Sequence, residues 1–175
     1  IPTVNDWKLD NKSNFLRLGL NSMQQYRIKF ILGKITAYVD ALRLGKTTVD
    51  DLTSYTQTAV EIEHILPQTC ADKELYGMND EDFSVYINRL GNLTLLENSI
   101  NKSIHNDVYA NKSKAYKQSK FYLTSSLSEL VNQGHDTAIN RTNSLLFAWS
   151  DWNKRSIEER QEMLYRLSEM IWEMS

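Results

Sequence analysis

Two stretches of apolar residues at helical spacing, one near each end, constrain this sequence more than any other feature. Met23, Tyr26, Phe30, Ile31, Ile35, Tyr38, Val39 and Leu42 recur at intervals of three and four. Asn21 or Ser22 stands before them as a cap, and Gly45 follows as a stop. Toward the other end, Ser156 and Glu159 have the spacing of a capping box, and Ile157, Met163, Leu164, Leu167, Met170 and Ile171 form an apolar face. Each helix must bury its stripe against something. The middle of the chain reads differently. Val60 to Pro67 is a short, largely apolar stretch ended by proline, and Leu93 to Leu96 is a second one; both suit brief strands. Between them Asn79 is placed to cap a helix through Phe83, Tyr86, Ile87 and Leu90, with Asp82 three residues in and Gly91 at its end. Further helices are expected from about Asp107 to Gln118, over 121–131 and over 140–152, with a loop at 132–136. The fold class is therefore mainly α with a small embedded antiparallel β-hairpin (α+β).

A length of 175 residues suits one domain with a core of its own. We divide it into an N-terminal helical segment (1–49), a central core (50–120) and a C-terminal helical segment (121–175). Six glycines, two prolines and one cysteine exclude collagen, low-complexity disorder and a disulfide framework. No apolar run is long enough to cross a bilayer, Ile1 opens no signal-peptide pattern, and the lone Cys70 fits a reducing compartment; a cytoplasmic protein is expected.

The net charge of −2 argues against a wholesale basic coat, yet it is an average of two unlike regions. From Asp50 to Asp82 there are nine acids and one base; from Ser99 to Tyr122 there are five lysines (Lys102, Lys112, Lys114, Lys117 and Lys120) and one acid. Such a split is an argument about partners. It fits either a solvated lysine-rich helix face or a phosphate-contacting surface beside an acidic, metal-attracting loop.

The residues able to carry chemistry lie between these regions. Glu63 and His64 are adjacent, so in a strand they point to opposite faces and can share a site only where the backbone turns, which Pro67 encourages. Asn92 follows within Gly91-Asn92-Leu93-Thr94-Leu95-Leu96, and Asn101 comes nine residues later. This acid-His, Asn, Asn series resembles the HNH, or ββα-metal, nuclease motif, in which an antiparallel hairpin and a following helix clamp one divalent metal. A closer resemblance covers roughly residues 50 to 175. EIEHILPQ, NRLGNLTLLENSIN, then Tyr109, Lys112, Tyr116 and Ser119, and finally Trp152, Ile157, Arg160 and Trp172 are similar to the C-terminal HNH domain of GmrSD-type restriction endonucleases. The long interval between His64 and Asn92 departs from the shorter loop of the HNH domains in RNA-guided nucleases.

The resemblance implies a ββα-metal core surrounded by helices and a bacterial anti-phage restriction protein cutting or nicking double-stranded, modified phage DNA. It also implies a ParB-like nucleotide-hydrolysing domain N-terminal to this one in the full-length protein. His64, a neutral imidazole near pH 6.5, would accept a proton from the attacking water. Glu63 and Asn101 offer hard oxygens suited to Mg²⁺ or Mn²⁺. Asn92 would hold the loop and orient His64. His105, four residues after Asn101, has the spacing of a second ligand on one helix face, as in colicin-type HNH enzymes, whereas GmrSD-type proteins carry a small residue there; an exposed histidine is the other reading.

Lys102, Lys112, Lys114 and Lys117 are the candidate phosphate contacts, and Lys112 reads equally as a plain surface lysine. Packing or capping roles suit Tyr116 and Ser119, a structural ion pair suits Arg160, and His135 and Cys70 carry no motif. The rival reading is a catalytically inactive DNA-binding or docking module that retains the HNH fold.

Overall fold

The computed structural model describes residues 11–49 and 51–172. Pro2 and the rest of the N-terminal decapeptide lie outside the described residues. The first element, α1 (Lys12–Phe15), is a single turn capped by the Asn11 side chain. α2 (Gln25–Arg43) begins later than its sequence cap suggests. Ser22 instead closes a tight turn on Gly19, and the Asn21 side chain reaches away to the Ser84 carbonyl at 3.1 Å. At the other end Gly45 adopts φ +66°, with Lys46 N–H donating to Ala41 O and Gly45 N–H to Leu42 O, the paired bonds of a Schellman stop. The buried stripe of α2 is Ile28, Ile31, Leu32, Ile35 and Val39, whereas Tyr26 is 63% exposed. The helical period holds, and the centre of the buried face lies one residue step away from the aromatic positions.

After the turn α3 (Thr53–Thr56), β1 (Val60–His64) pairs antiparallel with β2 (Leu93–Glu97), register Val60↔Glu97 through His64↔Leu93. These two strands form a single two-stranded sheet among the described residues. Between them lies α4 (Asp80–Tyr86), where Asn79 Oδ1 accepts from Asp82 N–H at 2.8 Å as its sequence position suggests. Gly91 does not end this helix; it sits in a 3-10 turn, Leu90–Asn92, that leads directly into β2. α5 (Asn98–Asn101) follows β2 without a loop, then come α6 (Tyr109–Tyr116), α7 (Tyr122–Ser125), α8 (Ala138–Asn143) and α9 (Lys154–Trp172).

The stretch expected to be helical over 121–131 is helical only in α7. Thr124 Oγ1 donates to Leu95 O at 2.7 Å and Leu127 O accepts from Trp149 N–H at 2.8 Å, so tertiary bonds replace the next helical turn. Residues 144–153 are likewise irregular. The start of α9 is also displaced from its expected capping box. Asn153 and Ser156 exchange reciprocal side-chain bonds, Ser156 N–H to Asn153 Oδ1 and Asn153 N–H to Ser156 Oγ, both 3.2 Å. Glu159 turns instead to Trp149 Nε1 at 3.0 Å and to Arg155.

One core joins all of this. α2 packs on β2, α7, α8 and α9, so the hairpin is backed by the long N-terminal helix. α9 covers the 3-10 turn ahead of β2. A Cβ added to Gly91 would lie 2.3 Å from Ile157 O, so only glycine permits this approach. Gln161 Oε1 accepts from Gly91 N–H, while its Nε2 donates to Phe15 O at 2.8 Å and Leu18 O at 3.1 Å. Arg160 is fully buried and makes no ion pair among the described residues. Its Nη1 donates to Gly91 O at 3.0 Å and Leu93 O at 2.6 Å. Burial pulls its guanidinium down to about 10, which still leaves it charged at neutral pH. The expected structural role holds; the partner is backbone rather than a carboxylate.

Candidate active site

A cleft of about 110 Å³ opens where β1 ends. Its walls include Glu63 and His64 from β1, Pro67 and Gln68 from the following turn, Asn101 from α5, His105 and Asn106 beyond it, and Lys112 from α6. Glu63, His64, Asn101 and His105 therefore meet at one place. Asn92 does not line it.

Asn92 works from behind. It is fully buried, and its Oδ1 accepts from Leu66 N–H at 2.8 Å and from Trp152 Nε1 at 2.9 Å. Its Nδ2 donates to Ile87 O at 2.9 Å and Leu66 O at 3.3 Å, and its own carbonyl accepts from Ile65 N–H. The residue thus pins the backbone just after His64, which is how the chain turns to bring adjacent side chains into one cleft. Trp152, stacked on Tyr109 with ring centroids 5.4 Å apart, closes the back of this pin.

The side chain that touches His64 is Asn88. His64 Nε2 and Asn88 Oδ1 lie 3.1 Å apart, so the orienting partner is not Asn92. Asn88 Nδ2 donates to Asn21 Oδ1 at 2.9 Å, and Asn21 Nδ2 donates to the Ser84 carbonyl at 3.1 Å. A carbonyl can only accept, so it sets both amides, and Asn88 must present oxygen to the imidazole. His64 therefore carries its proton on Nε2 and keeps a free lone pair on Nδ1. Burial lowers its pKa below the ordinary value, outweighing the bond to Asn88 and the nearby Glu63 charge, which raise it. The imidazole is neutral at neutral pH. Asn88 lies inside the NRLGN string, where its amide was the available signal.

Glu63 is buried, and its Oε1 accepts from Lys112 Nζ at 2.6 Å and Tyr116 OH at 2.9 Å. Burial and the Glu63 charge hold the Tyr116 phenol well above its ordinary pKa, so it stays a donor. Glu63 Oε2 accepts no hydrogen bond among the described residues. Asn101 is 9% exposed; its Nδ2 donates to Glu61 Oε2 at 2.7 Å, and its Oδ1 is buried without any partner. One buried amide oxygen is thus unsatisfied and one carboxylate oxygen takes no protein donor, and both are the oxygen chemistry a hard cation takes. No group of three His, Cys, Asp or Glu side chains able to hold a metal occurs among the described residues. A ligand set of one carboxylate and one amide leaves most positions to water, as Mg²⁺ prefers.

The lysines divide. Lys102 and Lys114 are exposed and make no ion pair among the described residues, and Lys117 is exposed but bonded to Glu129 at 3.0 Å. Lys112 is 1% exposed, so it belongs neither to a phosphate-contacting surface nor to a solvated face. The reason is its partner: its side chain runs inward to Glu63 and to the His64 carbonyl at 2.7 Å. His105 is exposed at the rim of the cleft. Ser119 donates to Glu97 Oε2 at 2.8 Å and accepts from Phe121 N–H, a local capping role.

Compared with known families, residues 5–167 match the model of the C-terminal domain of GmrSD restriction endonucleases. The chain belongs to that family. The GmrSD C-terminal domain match begins well ahead of the motifs, so α2 is part of the family's unit rather than an addition to it. Restriction endonuclease kinship makes this a nuclease-related domain with DNA as its substrate class. Neither curated proteins nor solved structures give a match. No helix among the described residues is long and apolar enough to cross a membrane.

Proposed function

We propose that this GmrSD C-terminal domain is a divalent-metal-dependent HNH endonuclease that nicks or cleaves double-stranded DNA. The observation that carries the reading is the cleft whose lining brings together the imidazole of His64, the carboxylate of Glu63 and Asn101, with Asn101 Oδ1 buried and unpartnered. Glu63 Oε2 and Asn101 Oδ1 would hold Mg²⁺ or Mn²⁺, with His105 at the rim as a further candidate ligand. When bound, the cation neutralises charge developing on the phosphate and on the leaving oxygen.

The protein's own part is proton transfer and positioning. His64 Nδ1 takes a proton from water as the water oxygen bonds to phosphorus. The P–O3′ bond breaks, and the O3′ alkoxide is protonated from solvent, leaving a 5′-phosphate and a 3′-hydroxyl. Asn88 holds the imidazole in the tautomer this needs, and Asn92 holds the backbone that carries it. Lys102 and Lys114 are free to meet phosphates flanking the cleft. By the same family reading, the DNA is modified phage DNA and a ParB-like nucleotide-hydrolysing domain accompanies this one in the intact bacterial protein.

Plasmid nicking tests the reading. Mg²⁺ or Mn²⁺ supports it, EDTA stops it, and His64→Ala abolishes it while DNA binding persists. Undiminished nicking by His64→Ala would remove the imidazole from the mechanism. DNA binding with no cleavage under any divalent metal would mark a docking module instead.

A further inference from the structure

Lys112 is the one candidate phosphate contact that the fold takes inside. Its ammonium lines the cleft wall and bonds Glu63 Oε1 at 2.6 Å and the His64 carbonyl at 2.7 Å. Tyr116 donates to the same oxygen of Glu63 at 2.9 Å. Both bonds thus fall on one side of the carboxylate and turn Oε2 away from them. A buried carboxylate needs a counter-charge, and a lysine this buried needs a counter-anion. The pair satisfies both demands with no metal bound. It also places a positive charge against the carboxylate that a cation would use, and like charges sharing one partner oppose each other strongly where water is scarce.

We propose that Lys112 is the resident counter-ion of the cleft. It keeps Glu63 paired and pointed, and it loosens the hold on the metal that arrives. The inference rests on the metal reading given above. Lys112 is a positioning residue in this scheme: it acts through Glu63 and through the backbone of His64, not on DNA. The site is complete as a piece of folded structure before any cation enters, and the cation it takes stays readily exchangeable.

The test is Mn²⁺ binding by calorimetry, with thermal unfolding in Mn²⁺ and in EDTA. The proteins compared are the wild type, Lys112→Gln, and the double variant Lys112→Gln with Glu63→Gln. Lys112→Gln keeps an N–H donor and loses the charge. It is expected to bind Mn²⁺ at least about tenfold more tightly than the wild type. It should also unfold at lower temperature in EDTA and regain most of that loss in Mn²⁺. The double variant, with neither charge, should unfold close to the wild type in EDTA and bind Mn²⁺ more weakly than either. Equal or weaker Mn²⁺ binding by Lys112→Gln, beside a wild type that binds, overturns the counter-ion role alone. Binding by neither overturns the metal reading and this inference with it.

A second measurement needs no variant. In ¹⁵N-lysine-labelled wild type, a buried ammonium exchanges slowly and gives its own signal. Mg²⁺ should shift that signal in a saturable way; a signal indifferent to saturating Mg²⁺ overturns the proposal.

Discussion

His64 Nε2 lies 3.1 Å from Asn88 Oδ1, and the carbonyl of Ser84, two amides away, sets that oxygen toward the ring and so puts the imidazole proton on Nε2. A base is useful only if its lone pair faces the proton it is to take. Here the tautomer is fixed by neutral side chains and one peptide group, with no carboxylate bonded to the ring among the described residues.

Removing the acceptor should therefore cost rate and not affinity. Asn88→Ala is expected to lower the single-turnover nicking rate by about 10²-fold, within the range general-base catalysis supplies. Its DNA affinity should stay within about twofold of the wild type. Asn88→Asp keeps an acceptor and should recover most of the rate. ¹⁵N spectra of the imidazole check the cause: Nε2-protonated in the wild type, a tautomer mixture in Asn88→Ala.

The pH dependence follows from burial of the same ring. With its pKa lowered, His64 is neutral down to a pH below the ordinary 6.5, so the acid limb of the nicking profile should lie on the acid side of that value. Stability has the same sign. The unfolded chain binds the proton more readily, so this contribution is whole above about pH 6.5 and is lost as pH falls through the folded value. Thermal unfolding followed across this range should show the loss in the wild type and a smaller one in His64→Gln.

The turn ahead of β2 offers a stability test away from the cleft. Arg160 holds the carbonyls of Gly91 and Leu93, and truncating it leaves both buried and unpaired. Arg160→Ala should destabilise the fold by about 3 kcal/mol or more in urea unfolding. Arg160→Lys should recover part of the loss, because one nitrogen, Nη1, serves both carbonyls while Nε and Nη2 bond nothing among the described residues. Gly91→Ala should cost about 1–3 kcal/mol by overpacking against Ile157 O.

DNA affinity should depend on salt through the exposed lysines only. Lys102→Glu with Lys114→Glu is expected to weaken binding to all sequences alike and to flatten the slope of log affinity against log salt. Lys117→Glu should do less, since Glu129 already engages that charge. Filter binding over a range of salt concentrations decides between them.

Motif and period were legible in the sequence; direction was not. The interval from Glu63 and His64 to Asn92 and Asn101 foretold that these residues gather near one hairpin. The Asn79 cap and the Gly45 stop were visible because each depends on neighbours within a few positions. What escaped depends on distant groups. Charge counting placed Lys112 outside, and only the buried carboxylate of Glu63 explains why it is inside. Asn92, expected to hold the loop and orient His64, bonds Leu66 in that loop and Trp152 behind it, and the side chain on the imidazole is Asn88. Helical period over 121–131 lost to tertiary bonds from Thr124 and Leu127. The capping signal near Ser156 was real but reversed, with Ser156 as the inner member and Asn153 as the outer.

The grip of α9 on the turn before β2 has a consequence for the order in which this protein comes into being. Gly91 needs Gln161, Leu93 needs Arg160, and Asn92 needs Trp152. All three partners emerge from the ribosome some sixty residues or more after the residues they hold. A nascent chain can pair its strands early, but it cannot complete the turn ahead of β2 until Trp152 and the first half of α9 are out. The candidate site is thus withheld from an unfinished polypeptide, and a truncated product can carry Glu63, His64, Asn92 and Asn101 without the braces behind them.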